Sequence, residues 1–291
     1  MLRTNILLGA LWLACAQLLF NVESVFIRFA SPELSNEALV FFRNSLSFLM
    51  LMPWVIYNGI GRMKTSYLHL HALRGLLGLA ALYCFFYSVI HMPLAEAVLF
   101  RMTLPFFLPV VGFLWLREKI SSRTIWGIVI GFFGVLVILR PGLTNISPVA
   151  LVALAGVLFA AIARTSIRKM HNTESVVQIV FYFTLISTLF SAIPMFWHWV
   201  TPSFQGWIFV FTIAILSVTA QFLLTYAYKY ASPGQVGAFN YMAIIYATVF
   251  GWYFWGETIE SIFFVGTFFI VIAGLLTTQA ETKKTDLVKD G

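Results

Sequence analysis

One helix-length passage occurs twice in this chain. Residues 95–118 (AEAVLFRMTLPFFLPVVGFLWLRE) and 234–257 (GQVGAFNYMAIIYATVFGWYFWGE) are both apolar, both about as long as a bilayer is thick, and both end in a glutamate, with Gly112 and Gly251 in matching places. Each is the fourth apolar run of its half, so a unit of five spanning helices is repeated. Five is an odd number. A second copy that begins on the opposite side of the membrane runs upside down relative to the first, and inverted repeats of this kind build many secondary transporters.

Composition agrees with a chain made for lipid. With 60% hydrophobic and 10% charged residues and a mean hydropathy of +0.91, it has too little polar surface to coat a soluble globule of 291 residues. A spanning helix needs roughly 20 mostly apolar residues. Such runs fall near 5–28, 37–58, 71–91, 94–116, 122–139, 148–167, 175–199, 205–228, 234–255 and 259–279. The expected fold is therefore an all-α integral membrane protein of ten transmembrane helices, arranged as two inverted five-helix repeats. The first repeat is 1–145, the second 146–280, and 281–291 is a short tail. Arg3 followed by LACAQ at 13–17 resembles a signal peptide, but apolarity continues to Phe26 and Ile27, too far for a signal-peptide core, so a retained helix is expected. Cys15 and Cys84 fall inside spans and read as small buried hydrophobes.

Orientation follows from the basic residues, which short cytoplasmic loops retain. With the N-terminus inside, the cytoplasmic set holds Arg3, Arg62, Lys64, Arg117, Lys119, Arg123, Arg168, Lys169, Lys229, Lys283, Lys284 and Lys289, whereas the opposite face keeps Arg140 beside Glu33, Glu37, Glu257 and Glu260. Both termini are thus expected in the cytoplasm. The formal charge of +7 is a topology signal; no Arg/Lys stripe interleaved with aromatics points to nucleic acid.

The runs FFRNSLSFL at 41–49, LRGLLGLAALYCFFYSV at 73–89, PLAEAVLFRMTLPFFLPVVGFLWLREKIS at 93–121 and WGIVIGFFGVLVIL at 126–139 resemble the EamA-type permeases of the drug/metabolite transporter superfamily. The resemblance spans the whole chain, and Arg43, Arg74-Gly75, Pro105 and Glu118 are its most specific elements. It implies a transporter, and the sequence carries no P-loop for ATP to drive it. The position matching Pro105 in the second half is Ile244, so the kink usual in that family's ninth helix is expected to be missing.

Charges within the spans come next, because one at the bilayer centre costs about 2.5–3.5 kcal/mol on insertion scales. They are Glu23, Arg28, Arg43, Arg74, Glu96, Arg101 and Arg164. Arg28, Arg74 and Arg164 lie near helix ends and read most simply as snorkelling to the interface. For Arg43, pairing with Glu23 and contact with substrate are both open. Arg101 is the sharper candidate. It precedes Pro105, which removes a backbone hydrogen bond, and its partner in the second copy is Asn240, followed by Tyr241. The competing reading is an Arg101–Glu96 ion pair that only packs the bundle. Polar faces on other helices suggest a lined cavity: Gln17, Asn21, Ser24 and Arg28 on the first, Tyr83 and Tyr87 on the third, Ser217, Gln221, Thr225 and Tyr228 on the eighth. Gly127, Gly131 and Gly134 instead form a packing face, for the tenth helix with Gly266 and Gly274 or for another protomer.

No enzymatic signature emerges. His69, His71, His91, His171 and His198 are scattered, and neither metal-ligand spacing, a P-loop nor a nucleophile elbow is present in the sequence, so no catalytic residue, metal or cofactor is expected. The function expected is secondary transport by alternating access. The arginine excess points to a small anionic or zwitterionic metabolite such as a carboxylate or amino acid, bound by Arg101, Arg43, Asn240, Tyr241, Gln17, Asn21, Tyr83, Tyr87 and Gln221. Glu96 and Glu23 are candidates for coupling or ion pairing. Two alternatives stay open: a cationic or nucleotide-like cargo, S-adenosylmethionine or a drug-like cation among them, as the superfamily resemblance implies, and a non-transporting scaffold or sensor. The expected partners are a small-molecule substrate, the lipid bilayer, a proton or counter-substrate, and a second copy as a candidate homodimer, with no nucleic acid. The setting expected is a bacterial cytoplasmic (inner) membrane.

Overall fold

Apolar runs of this length must satisfy their backbone internally, and helices do so within one segment. The computed structural model describes residues 6–59, 63–117, 120–139, 147–170, 173–230 and 236–289, and among these the only regular structure is helix. The elements are α1 (Ile6–Ala30), α2 (Asn36–Asn58), α3 (Leu68–His91), α4 (Leu94–Arg101), α5 (Leu104–Leu116), α6 (Ser122–Leu139), α7 (Pro148–Met170), α8 (Val176–Ser191), α9 (Met195–His198), α10 (Phe204–Tyr230), a 3-10 turn (Gly237–Tyr241), α11 (Met242–Trp255) and α12 (Ser261–Lys289). Their order and limits follow the apolar runs closely. Glu118, Lys119, Arg3, Arg62, Arg140, His171 and Gly234 lie outside the described residues.

Eight stretches are long and apolar enough to span: Leu7–Ala30, Asn36–Tyr57, Leu68–His91, Leu94–Leu116, Ser122–Leu139, Pro148–Ile167, Gln178–Trp197 and Phe204–Leu224, with Ser261–Thr277 a shorter apolar helix. The ninth expected span departs from a single helix. Its α-helical part, Met242–Trp255, has 14 residues, preceded by the five-residue 3-10 turn. At 1.5 Å and 2.0 Å rise per residue the two add up to about 31 Å, close to the ~30 Å hydrocarbon thickness.

Both copies of the repeated passage change pitch at the same place. In the first, α4 ends at Arg101 and α5 begins at Leu104, with Met102 and Thr103 in a turn between them. Pro105 lacks the N–H that would have reached the Arg101 carbonyl, and the Thr103 hydroxyl donates to the Phe100 carbonyl at 2.6 Å. In the second copy the 3-10 turn ends at Tyr241, directly after Asn240. Ile244 itself lies within the α-helix Met242–Trp255, and the pitch changes before it, at Gly237–Tyr241, without a proline. The two copies also end alike. Arg117 and Gly256 both adopt left-handed backbone (φ 56° and 63°), and the helix caps there close on the carbonyls of Gly112 and Gly251, the latter by the Glu257 N–H at 3.2 Å while the Gly256 N–H donates to Trp252 at 3.0 Å.

The most extensive packings in the molecule join its two halves: α1 on α10, α6 on α12, and α3 on α7. Exchanging the halves turns α1 on α10 into α7 on α3 and returns α6 on α12 to itself. Along α6 and α12 the glycine face meets its expected partner. A Cβ on Gly134 would lie 2.9 Å from the Gly266 carbonyl oxygen and from Phe269 Cβ, and one on Gly127 would lie 3.0 Å from the Ala273 carbonyl oxygen. Gly131 instead accommodates the Phe106 ring, and Gly274 the Tyr241 phenol. Gly134→Val is expected to cost about 1–3 kcal/mol, because the Gly266 carbonyl is backbone and the Phe269 Cβ is bonded directly to it, so neither can give way. Thermal melting of the detergent-purified variant measures it, and an unchanged melting temperature would refute the close packing.

Candidate functional site

A cavity of about 270 Å³ lies between the halves, walled by α1, α2, α3, α4, the start of α5, α7, α8 and α10. Each wall follows from helical phase. On α3, Arg74, Gly78, Ala81, Leu82 and Phe85 recur at three- and four-residue steps, and on α7 Ala153, Gly156, Val157, Ala160 and Arg164 do the same. Small side chains make the space. Arg43, Arg74, Arg101 and Arg164 line it with one carboxylate, Glu23, while Phe20, Phe85, Phe86, Phe100 and Phe183 supply aromatic wall.

Arg101 sits at the pitch change. Its guanidinium carbon lies 4.6 Å from the Phe85 ring centroid and 5.7 Å from that of Phe20. Its Nε and Nη2 are buried with no hydrogen-bond partner among the described residues. Arg43 is differently placed: its Nε is 3.7 Å from Glu23 Oε1, its Nη1 donates to Asn44 Oδ1 at 3.1 Å, and its Nη2 donates to the Ser217 hydroxyl. Glu23, 6% exposed, is within electrostatic range of both Arg43 and Arg101. Arg74 stacks over Phe183 at 4.1 Å, and its Nε is also without a partner. Exposure increases from Glu23 and Arg101 towards Arg164 and Gln221, which gives the cavity a deep end and an open end.

Beyond the deep end the molecule is plugged. Arg28 pairs with Glu257, which also accepts the Leu94 N–H at 2.9 Å, while Arg28 lies 4.6 Å from the Trp255 ring centroid and Phe29 packs on Trp255. Leu94 opens α4, and its Pro93 cap offers no side-chain acceptor. Glu257 thus caps a helix 163 residues away in sequence. Arg28 was expected to snorkel; an acid on the adjoining helix end holds it instead.

Of the residues expected at the site, Arg101, Arg43, Glu23 and Gln221 line the cavity, whereas Asn240, Tyr241, Gln17, Asn21, Tyr83, Tyr87 and Glu96 do not. The reasons are local. Gln17 donates to Asn240 Oδ1 at 2.9 Å, so the two amides join α1 to the 3-10 turn. Asn21 returns its amide to the Gln17 carbonyl at 2.8 Å, and Ser24 does likewise to Phe20 at 3.0 Å. Tyr241 packs against the backbone of Gly274. Tyr83 and Tyr87 stand one residue out of phase with the lining face of α3, and Tyr87 stacks on His91 with centroids 4.1 Å apart. Glu96 is likewise one residue off the face carrying Ala97, Phe100, Arg101 and Leu104. Thr225 and Tyr228 lie outside the residues whose side chains are described.

The nearness of Arg74 and Arg164 to helix ends suggests the interface, but both line the cavity. The overlooked signal was phase. Arg74 shares its face with Gly78, and Arg164 with Gly156 and Ala160, so each charge ends a small-residue stripe.

A polytopic helical bundle with a charged cavity between two cross-packed halves belongs to the class of small-molecule membrane transporters. The particular family is shown by sequence. The chain matches the EamA-like transporter family over residues 7–140 and again over 147–279, and it belongs to that family. It is 30% identical over 287 residues to the pseudopaline exporter CntI of Pseudomonas aeruginosa, covering 98% of both chains. It is 24% identical to a riboflavin transporter of Vibrio cholerae (95% and 94% covered) and 23% identical to an S-adenosylmethionine uptake transporter of Rickettsia prowazekii (94% of each). A crystal structure with 14% identity superposes over 97% of this chain and 99% of its own with a TM-score of 0.63, which shows a shared fold. The protein is a membrane transporter for a small-molecule substrate, integral and multi-pass, in the bacterial inner membrane.

Proposed function

We propose that this chain is a secondary carrier that moves a small anionic or zwitterionic metabolite by alternating access, through the cavity between its halves. The observation that carries the proposal is Arg101, a guanidinium with Nε and Nη2 buried and unpartnered at the cavity wall. An unpaired cation at membrane depth is costly, and a carboxylate placed there receives charge-assisted hydrogen bonds. Arg43 and Glu23 beside it complete a zwitterion site, the carboxylate of the cargo on the guanidinium side and its ammonium near Glu23. Glu23 is also the cavity acid at which a coupling proton would reside.

The architecture proposed with this function is ten spanning helices in two inverted halves, 1–145 and 146–280, with both termini and a tail at 281–291 in the cytoplasm. The aligned pitch changes, the matched ends at Arg117 and Gly256, and the packing that survives exchange of the halves all support it. On this topology the open end, near Arg164, faces the cytoplasm. A cationic cargo has one feature in its favour, Glu23 among phenylalanines, but four arginines oppose it.

Counterflow in proteoliposomes tests the proposal. Vesicles loaded with an unlabelled amino acid or organic acid should accumulate the same labelled compound, and the anionic reading fails if only cations exchange.

A further inference from the structure

Two cavity arginines that make no ion pair among the described residues, Arg74 and Arg101, stand at separate stations along one helix. The Arg74 side chain comes from the near end of α3 and lies over Phe183, whereas Arg101 reaches in from α4 to lie over Phe85. The Arg74 guanidinium reaches Gly78, whose Cβ position lies 3.0 Å from its Nη1, and Gly78 and Phe85 are seven residues apart on α3, roughly 10 Å along its axis at 1.5 Å per residue. Between them the α3 and α7 faces are Ala81, Leu82, Gly156, Val157 and Ala160, none of which has a side chain that can donate or accept a hydrogen bond, while Gln221 of α10 also lines the cavity. The cavity is therefore bipolar lengthwise, a cation at each end of an apolar stretch.

Charge balance points the same way. Glu23 is matched by Arg43 at 3.7 Å, and Arg43 spends its other nitrogens on Asn44 and Ser217. Even leaving Arg164 aside, Arg74 and Arg101 remain, both without an ion pair among the described residues and with Arg74 Nε and Arg101 Nε and Nη2 lacking hydrogen-bond partners. A ligand with one negative charge compensates one of them and leaves the other buried in apolar surroundings, which is the costly arrangement. A ligand with two, set apart by a neutral body, compensates both.

We infer that the cavity takes an elongated organic dianion, with one anionic end at Arg101, the other at Arg74, and a largely apolar body against the small-residue walls of α3 and α7. The inference rests on the proposal that this cavity is the cargo site. It adds charge number and length to it. Two carboxylates satisfy this geometry, and a carboxylate with a phosphate monoester sets two anionic ends apart in the same way, with extra negative charge on the phosphate.

The test is binding to the purified full-length protein in detergent, by calorimetry, of succinate, adipate and suberate, each against its monomethyl ester, with carboxyalkyl phosphates as the second arm. Suberate is expected to bind at least tenfold tighter than its ester, and the preference for the diacid should grow from succinate to suberate. If the phosphate arm shows the same preference for two separated charges, the dianion chemistry is upheld whichever group supplies it. Arg74→Gln should bring suberate and its ester within about threefold of each other. Equal binding of diacid and ester by the wild type, or a diacid preference that Arg74→Gln leaves intact, overturns the inference while the anionic-cargo proposal stands. Binding of none of these anions overturns both. Should Arg74→Gln fail to fold, the length series on the wild type decides: a preference that does not depend on length overturns the inference.

Discussion

Arg101→Ala is expected to reduce transport of the cargo by roughly 30-fold to several-thousand-fold, the range that corresponds to about 2–5 kcal/mol for truncating one partner of a buried charge pair. The bidentate fork of the guanidinium is what an alanine removes. Arg101→Lys keeps the charge but offers a point donor in place of two parallel N–H groups, so it should recover only part of the activity. Folding should survive both changes. The Arg101 side chain makes no ion pair among the described residues, and removing it relieves the cost of an uncompensated buried cation. Initial uptake rates in proteoliposomes, read against the melting temperature of the same preparations, separate loss of binding from loss of structure. Wild-type transport by a well-folded Arg101→Ala protein would remove this residue from the site.

Glu257→Ala should act on the plug and leave the cavity itself intact. It leaves Arg28 without its carboxylate and the Leu94 N–H without its acceptor, both in a region where the paired side chains are only 19% and 11% exposed. An unsatisfied buried donor costs about 1–3 kcal/mol and a broken buried pair about 3–5. Residual solvent access reduces the second, so a combined loss of about 2–3 kcal/mol is expected, seen as a lower melting temperature in detergent. Glu257→Gln retains an acceptor for Leu94 and gives up only the charge, so it should fall between the two. A Gln variant as unstable as the Ala variant would show that the ion pair matters and the helix cap does not.

Much of the fold was legible because membrane insertion is read from local composition. Segment limits such as 36–58, 94–116 and 122–139 depend on where apolar residues stop, and neighbours along the chain decide that. The α6–α12 contact was legible for a similar reason: Gly127 and Gly134 mark a face that only close helix packing explains. The ninth segment was not, because the 3-10 turn at Gly237–Tyr241 has no proline to announce it and is held in part by the Gln17–Asn240 bond, a contact over 223 residues. At the site, Arg101 and Arg43 were visible from their depth within spans. Arg74 and Arg164 were hidden by theirs, since proximity to a helix end describes a snorkelling arginine and a cavity mouth equally well. Asn21, Ser24 and Gln17 misled in the opposite direction: a polar side chain in a spanning helix can return to its own backbone or bridge to a neighbour, and the sequence shows only that it is polar.

The pairing of α1 with α10 and of α3 with α7 also constrains how the protein is made. A ribosome delivers the first five segments into the bilayer before any of their principal partners exists, so α1 must wait in lipid until α10 has been synthesised. During that interval Arg43 lacks the Ser217 hydroxyl, and Glu23 and Arg101 lack the walls that α7 and α10 supply. The first half is thus an unfinished interface during synthesis, and two separately expressed half-chains should become protease-resistant only when both are present in the same membrane.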